Sequence, residues 1–252
     1  MTKLAISAEW TKFWSVRATW WSLIGGVLLM AFCSVVSGIS QHAGSDRAQS
    51  AHGIVNGGAI YLVEFCVLAV ATLFVTSEYT SGSIRSTLQW VPVRARVTAA
   101  KAAVLVPVLF GYGVVVAVLG MAVASVLMRG AGGSTSLSQG AVTALGMGAY
   151  FALLGVLCLG ISFVLRSAAG TLVVVIVLLL PLPMLMSSYV FPAAMDYFPA
   201  FAGMNAMVPP GDVNPLLGSV PPYGPWAGVL VCLAWAAAGI GAGTALLNRR
   251  DA

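Results

Sequence analysis

Charge is what this sequence has least of. Asp, Glu, Lys and Arg make up 8% of its 252 residues and hydrophobic residues 60%, whereas soluble domains carry roughly 25% charged residues. That imbalance excludes an ordinary water-soluble domain and assigns the chain to a membrane. Lysine occurs only at positions 3, 12 and 101, and none of these closes a G-x-x-x-x-G-K-[ST] phosphate loop. Histidine is limited to His42 and His52, both in a polar stretch. No H-E-x-x-H motif or Cys/His cluster is present, and Gly82-Ser83 lacks the second glycine of a G-x-S-x-G elbow. The chain is therefore expected to be no enzyme by itself and to bind no metal or cofactor. Cys33, Cys66, Cys158 and Cys232 fall in four different apolar runs, where thiols act as small hydrophobes. The net charge of +5 reads as a basic membrane rim. Nucleic acid is not expected as a partner, because no basic patch is interleaved with exposed aromatics.

What the chain does have is apolar runs of bilayer length. The pattern predicts an all-α membrane protein, a single transmembrane domain over 1–252, with six spans at 20–40, 57–77, 102–128, 140–165, 170–188 and 225–247. Pro107 is a candidate kink in the third, and Pro181 and Pro183 interrupt the fifth. With the N-terminus inside, ten basic residues lie on the cytoplasmic side and only Arg47 and Arg129 outside, so both termini are expected in the cytoplasm. Residues 1–19 do not have the form of a signal peptide. On a helical wheel Ile6, Trp10, Phe13, Trp14, Trp20 and Trp21 share one face, Lys12, Ser15 and Thr19 lie opposite, and Arg17 falls within the aromatic stripe. This pattern suits an amphipathic helix in the headgroup layer, with membrane lipids as its partner. An aromatic belt at the start of a span is the alternative.

The longest connection, 189–224, carries seven prolines yet also Val190, Phe191, Phe198, Phe201, Met204 and Met207. It is expected to form short helices re-entering the outer leaflet under cover of the bundle. Small residues crowd the fourth and sixth spans, among them Gly146, Gly148, Gly155, Gly160, Gly239 and Gly243, as close helix packing requires. Glu64 is the one acid expected inside a span. It reads either as an ion or substrate contact, with Arg47 or Arg129 as possible partners, or as a hydrogen-bonded residue facing a neighbouring helix.

The stretch 76–101, T-S-E-Y-T-S-G-S-I-R-S-T-L-Q-W-V-P-V-R-A-R-V-T-A-A-K, joins the second and third spans and holds Arg85, Arg94, Arg96 and Lys101. A short helix over 78–92 is predicted, capped near Thr80–Ser81, with Ile84 and Leu88 on one face and Pro92 as its stop. Read from physics alone, it is either a contact surface for another protein or a polar turn that satisfies two helix ends.

In this stretch the sequence resembles the membrane permease subunits of type-2 ATP-binding cassette (ABC) exporters. Glu78-Tyr79, Gly82-Ser83-Ile84-Arg85, Thr87-Leu88, Pro92, Arg94 and Ala100-Lys101 follow that family's E, G-T-I-R, T-L, P-x-R and A-K pattern. Ser83 replaces the usual Thr, and Gln89-Trp90-Val91 stands where small or polar residues are more usual. The resemblance implies a cell-membrane permease, bacterial in origin, that exports an amphipathic or hydrophobic cargo such as a drug, peptide or lipid. It implies two copies of a cytoplasmic ABC ATPase, which bind ATP and Mg, and a second permease, identical or related. Carried over, Glu78, Gly82, Ser83, Ile84, Arg85, Thr87 and Leu88 form the ATPase-coupling element. Ile84 and Leu88 would fill a groove on the ATPase, and Glu78 and Arg85 would make charged contacts there or brace the adjoining helices. Outside the resemblance, an ion-gradient-driven transporter or channel with Glu64 as its coupling residue remains a competing reading. A lipid-modifying membrane enzyme has few His, Asp or Glu residues to draw on.

Overall fold

The computed structural model describes residues 2–42, 50–90, 93–128, 135–189, 192–215 and 217–249, and all regular structure among them is helical. Its elements are α1 (Thr2–Ser15), α2 (Arg17–His42), α3 (Ala51–Gly58), a π turn (Ala59–Val63), α4 (Glu64–Thr80), α5 (Ile84–Trp90) and α6 (Arg94–Leu127). They continue with α7 (Leu137–Leu165), α8 (Ala168–Leu179), α9 (Pro181–Tyr189), a 3-10 turn (Pro192–Tyr197), α10 (Pro199–Met207) and α11 (Pro225–Arg249). Among the described residues six stretches are long and apolar enough to cross a membrane: Arg17–Ser40, Ala51–Thr80, Arg94–Leu127, Leu137–Leu165, Ala168–Tyr189 and Pro225–Leu247.

Where these bounds differ from the sequence pattern, capping chemistry gives the reason. The second apolar helix begins at Ala51, inside the expected polar loop, because Ser50 accepts the Gly53 N–H and starts it. His52 consequently lies in a helix and is buried. Ser136 and Gln139 form a capping box that starts α7 ahead of position 140. The 34 residues of α6 give a length of about 50 Å, so its first turns extend well past a hydrocarbon core of about 30 Å. The fifth stretch breaks between α8 and α9 at Leu180, where Pro181 supplies no N–H.

The N-terminal stripe is split. α1 ends at Ser15, Val16 interrupts the helix and Arg17 begins α2, exposed. Carbonyls left open at this break are taken up by side chains, Ser15 Oγ on Lys12 O and Trp20 Nε1 on Trp14 O at 3.0 Å. Phe13 is buried, while Trp10, Trp20 and Trp21 are exposed, and Trp14 bridges the break by meeting both Trp10 and Trp20.

α7 is central, packed on α4, α6, α10 and α11. Its approach to α11 is backbone to backbone, and a Cβ at Gly160 would lie 2.2 Å from the Gly239 carbonyl carbon. The glycines of the fourth and sixth spans therefore serve packing within the chain. Helices in lipid gain little hydrophobic drive toward one another, so such contacts hold the bundle. Every residue of α10 is buried, and the helix lies against α7 and α11. Its terminal carbonyl, on Met207, accepts hydrogen bonds from Asn56 at 3.3 Å and Thr143 at 3.0 Å. Asp212 beyond it meets His52 Nε2 at 2.9 Å. Of the long proline-rich connection, Pro192–Tyr197 and Pro199–Met207 are helical and the second of these is wholly buried, whereas the described residues from 208 to 224 form no helix and expose Val213 and Val220.

Candidate functional site

α4 and α6 bring Glu78 and Lys101 together at one end of the bundle, on either side of the segment that contains α5. Lys101 has no exposed surface. Its Nζ donates to Glu9 Oε2 at 2.7 Å, Glu78 Oε1 at 2.9 Å and the Phe74 carbonyl at 3.3 Å, and it sits 4.2 Å from the centre of the Phe74 ring. Lys12 on α1 completes the cluster, donating to Glu9 Oε1 and Glu78 Oε1 at 3.0 Å each and to Thr87 Oγ1 at 3.1 Å. Two ammonium groups thus face two carboxylates, and all six ammonium protons have an acceptor. A buried ion is costly unless it is paired and hydrogen-bonded, and that requirement ties α1, α4 and α6 into one unit. Partial burial pulls the Lys12 pKa down, but Glu78 and Glu9 outweigh it, so the group sits above the ordinary lysine value of 10.5 and stays charged.

α5 stands on this cluster. α4 ends in hydrogen bonds from Thr80 Oγ1 to Thr76 O and Ser77 O and from Ser81 Oγ to Ser77 O. The expected caps of the short helix therefore terminate the preceding one instead. Gly82 then turns the chain at φ +72°, a left-handed conformation that side chains resist. Thr87 faces Lys12, while Ser83, Ser86 and Gln89 are exposed. Ile84 corrects the sequence reading. At 4% exposure it is turned into the protein and is not available to fill a partner's groove. The side chains of Arg85 and Leu88, and Pro92, lie outside the described structure, as do Arg47 and Arg129. A cavity of about 330 Å³ opens beside the cluster, lined by Lys12, Ser15, Thr19, Ser77, Ser81 and Ser83, among others.

The aromatic residues of α1 lead into the same site. Phe13 packs edge-on against Phe74 at 5.2 Å, and Trp14 meets Trp10 at 5.8 Å and Trp20 at 4.9 Å. Arg166, in a left-handed turn after α7, lies over the Tyr79 ring at 5.4 Å. An Arg94 guanidinium N–H bonds to the Leu247 carbonyl, which ties the start of α6 to the end of α11. Glu64 is separate, fourteen residues or about 20 Å up the helix from Glu78, and accepts from Tyr150 Oη at 2.8 Å.

Sequence reasoning placed Glu78, Gly82, Ser83 and Thr87 in one element over 78–92, whereas in the structure Glu78 lies in the last turns of α4, Gly82 and Ser83 form the turn and Thr87 lies in α5. It missed Glu9 and the partners of Lys12. The available signal was the i, i+3 spacing of Glu9 and Lys12 in a chain with so few charges. For Lys101 it was a lone lysine inside the apolar run A-A-K-A-A-V.

Residues 5–203 match the model of a family described as "ABC-2 family transporter protein". No curated protein matches the chain. The matched residues contain the whole charged cluster and α5.

Proposed function

The chain belongs to the ABC-2 family of transporters, and from that premise we propose that it is the permease subunit of an exporter powered by a separate cytoplasmic ATPase. It is a multi-pass membrane protein with six apolar helices, and its family is a membrane component rather than a catalytic one. The observation that carries the proposal is the mounting of α5, a short surface helix linked through Thr87 and Lys12 to the Glu9–Glu78–Lys101 cluster. A displacement of α5 reaches α1, α4 and α6 through the Thr87–Lys12 hydrogen bond and the ion pairs behind it.

In this reading the basic end of the bundle is cytoplasmic, as the ten-to-two charge distribution supports. The exposed face Ser83, Ser86 and Gln89 meets the ATPase, and Ile84 holds the helix to the bundle. Two ATPases, each binding ATP and Mg, act on two permeases, and α1 lies in the headgroup layer among membrane lipids. ATP binding moves the permease only if its two conformations bind the two ATPase states with different free energies. The cargo is amphipathic or hydrophobic.

A Gln89→Trp substitution places an indole on the exposed face of α5, outside the cavities that adjoin the charged cluster. It is expected to abolish co-purification of the ATPase with the tagged permease, while the permease elutes from size exclusion as the wild type does. Retention of the ATPase at wild-type stoichiometry would show that α5 is not the docking helix.

A further inference from the structure

Glu64 begins α4 directly after the π turn Ala59–Val63 and has no exposed surface. Oε2 accepts from Tyr150, and Oε1 has no hydrogen-bond donor. The ion pairs of the described residues all lie elsewhere, so no lysine, arginine or histidine among them answers this carboxyl. α10 closes over the pair. Gly203 lies so near Tyr150 that a Cβ there would be 2.1 Å from the ring. Cys232 of α11 points its thiol at the carbonyl of Pro199, the first residue of α10. Glu64 and Tyr150 therefore lie where α4, α7 and α10 converge, with α11 behind.

A structural role at this place needs only a polar group that accepts from Tyr150, and a glutamine amide does that without the risk of burying a charge. A carboxyl adds one property, the capacity to hold a positive charge inside a seam that offers none. The π turn supplies a way to present it. Glu64 N–H bonds to Ala59 O, five residues back. Converting that turn to α-helical pairing rotates the two parts of the helix relative to each other by about 100° per residue displaced.

We propose that Glu64 is the binding residue for the positively charged group of an amphipathic organic cation, closed beneath α10 in this conformation. That this cation is the cargo rests on the permease reading; that it binds at Glu64 does not. Entry requires α10 to lift from Tyr150. The carboxylate then pairs with the cation, whose apolar body lies along the seam between α4 and α7 against Val67, Leu68 and Leu154, all buried.

The test uses the full chain in lipid nanodiscs without any ATPase, so it stands apart from the docking experiment. Radiolabelled tetraphenylphosphonium is the probe, and triphenylphosphine oxide serves as an uncharged competitor. Wild type is expected to bind the probe saturably and to ignore the neutral competitor. Glu64→Gln is expected to weaken binding roughly 30-fold or more, as when one partner of a buried charge pair is removed. Glu64→Asp keeps the charge and is expected to retain measurable binding. Elution of both variants at the wild-type volume keeps the comparison free of misfolding. Absence of saturable binding by wild type, or equal binding by Glu64→Gln, would overturn the cation site and leave the docking assignment untouched. Loss of ATPase docking by Gln89→Trp together with Glu64-dependent binding would support both.

Discussion

At Lys101 an ammonium group with no exposed surface has each proton on an oxygen, two from carboxylates and one from the Phe74 carbonyl. Removing it leaves Glu9 and Glu78 largely enclosed with only Lys12 to answer them. Lys101→Met is therefore expected to destabilise the protein by about 3–5 kcal/mol, the cost of breaking a buried pair from one side. Adding Glu9→Gln and Glu78→Gln to it is expected to recover much of that loss, since no uncompensated carboxylate remains. Thermal unfolding of the purified protein in nanodiscs reads both outcomes. An additive triple variant, worse than Lys101→Met alone, would mean that the carboxylates contribute otherwise than by pairing. At this scale the sequence was half legible. The E…A-K spacing singled out Glu78 and Lys101 as motif residues, but nothing in it stated that they touch. Glu9 belongs to no motif along the chain, and only the fold brings it against Lys101.

α5 shows what a pattern yields about an element and where it stops. A capped, proline-stopped stretch with Ile84 and Leu88 four apart predicts a helix, and Ile84–Trp90 is one. Which side of it faces out is not in the pattern, because an apolar face serves a partner's groove and the protein's own interior equally well. Ile84 at 4% exposure decides for the interior. The orientation of α5 is set by Gly82 at φ +72°, where a left-handed residue with a side chain costs roughly 1–2 kcal/mol. Gly82→Val is expected to tilt α5 off Lys12 and, on the function proposed above, to lower ATP-driven transport severalfold, whereas Gly82→Asn, which tolerates this region, is expected to lose far less. Equal activity of the two would show that the turn does not set the helix. α1 teaches the converse. Six aromatic and aliphatic positions share a face on an idealised wheel, but the helix breaks at Val16, and Phe13 goes to the bundle while Trp10, Trp20 and Trp21 stay outside. A wheel assumes a continuous axis, and the carbonyl-capping contacts at the break remove it.

For the whole molecule, composition and run length settle the class, since a chain with 8% charge and 60% hydrophobic residues has no other place to bury itself. Helix number follows from the same runs. The closeness of α7 and α11 does not, and it is the most vulnerable feature of the bundle. Gly160→Val puts a branched side chain where 2.2 Å of space is available, and it is expected to force the helices apart and leave little monodisperse protein in fluorescence-detected size exclusion. Gly170→Val, at the open start of α8 where a Cβ would lie 3.6 Å from the Ser167 side chain, is expected to behave nearly as wild type. By itself the sequence determined the membrane class, the six helices, the motif-bearing surface segment and the absence of a phosphate loop, because each of these depends on composition or on spacing along one helix. The tertiary structure decided that Glu78 and Lys101 close one charged cluster with Glu9 and Lys12, that Ile84 faces inward and that Glu64 meets Tyr150 under α10. These are contacts between residues tens of positions apart, fixed by how close the helices pack, and no pattern local to the chain contains that distance.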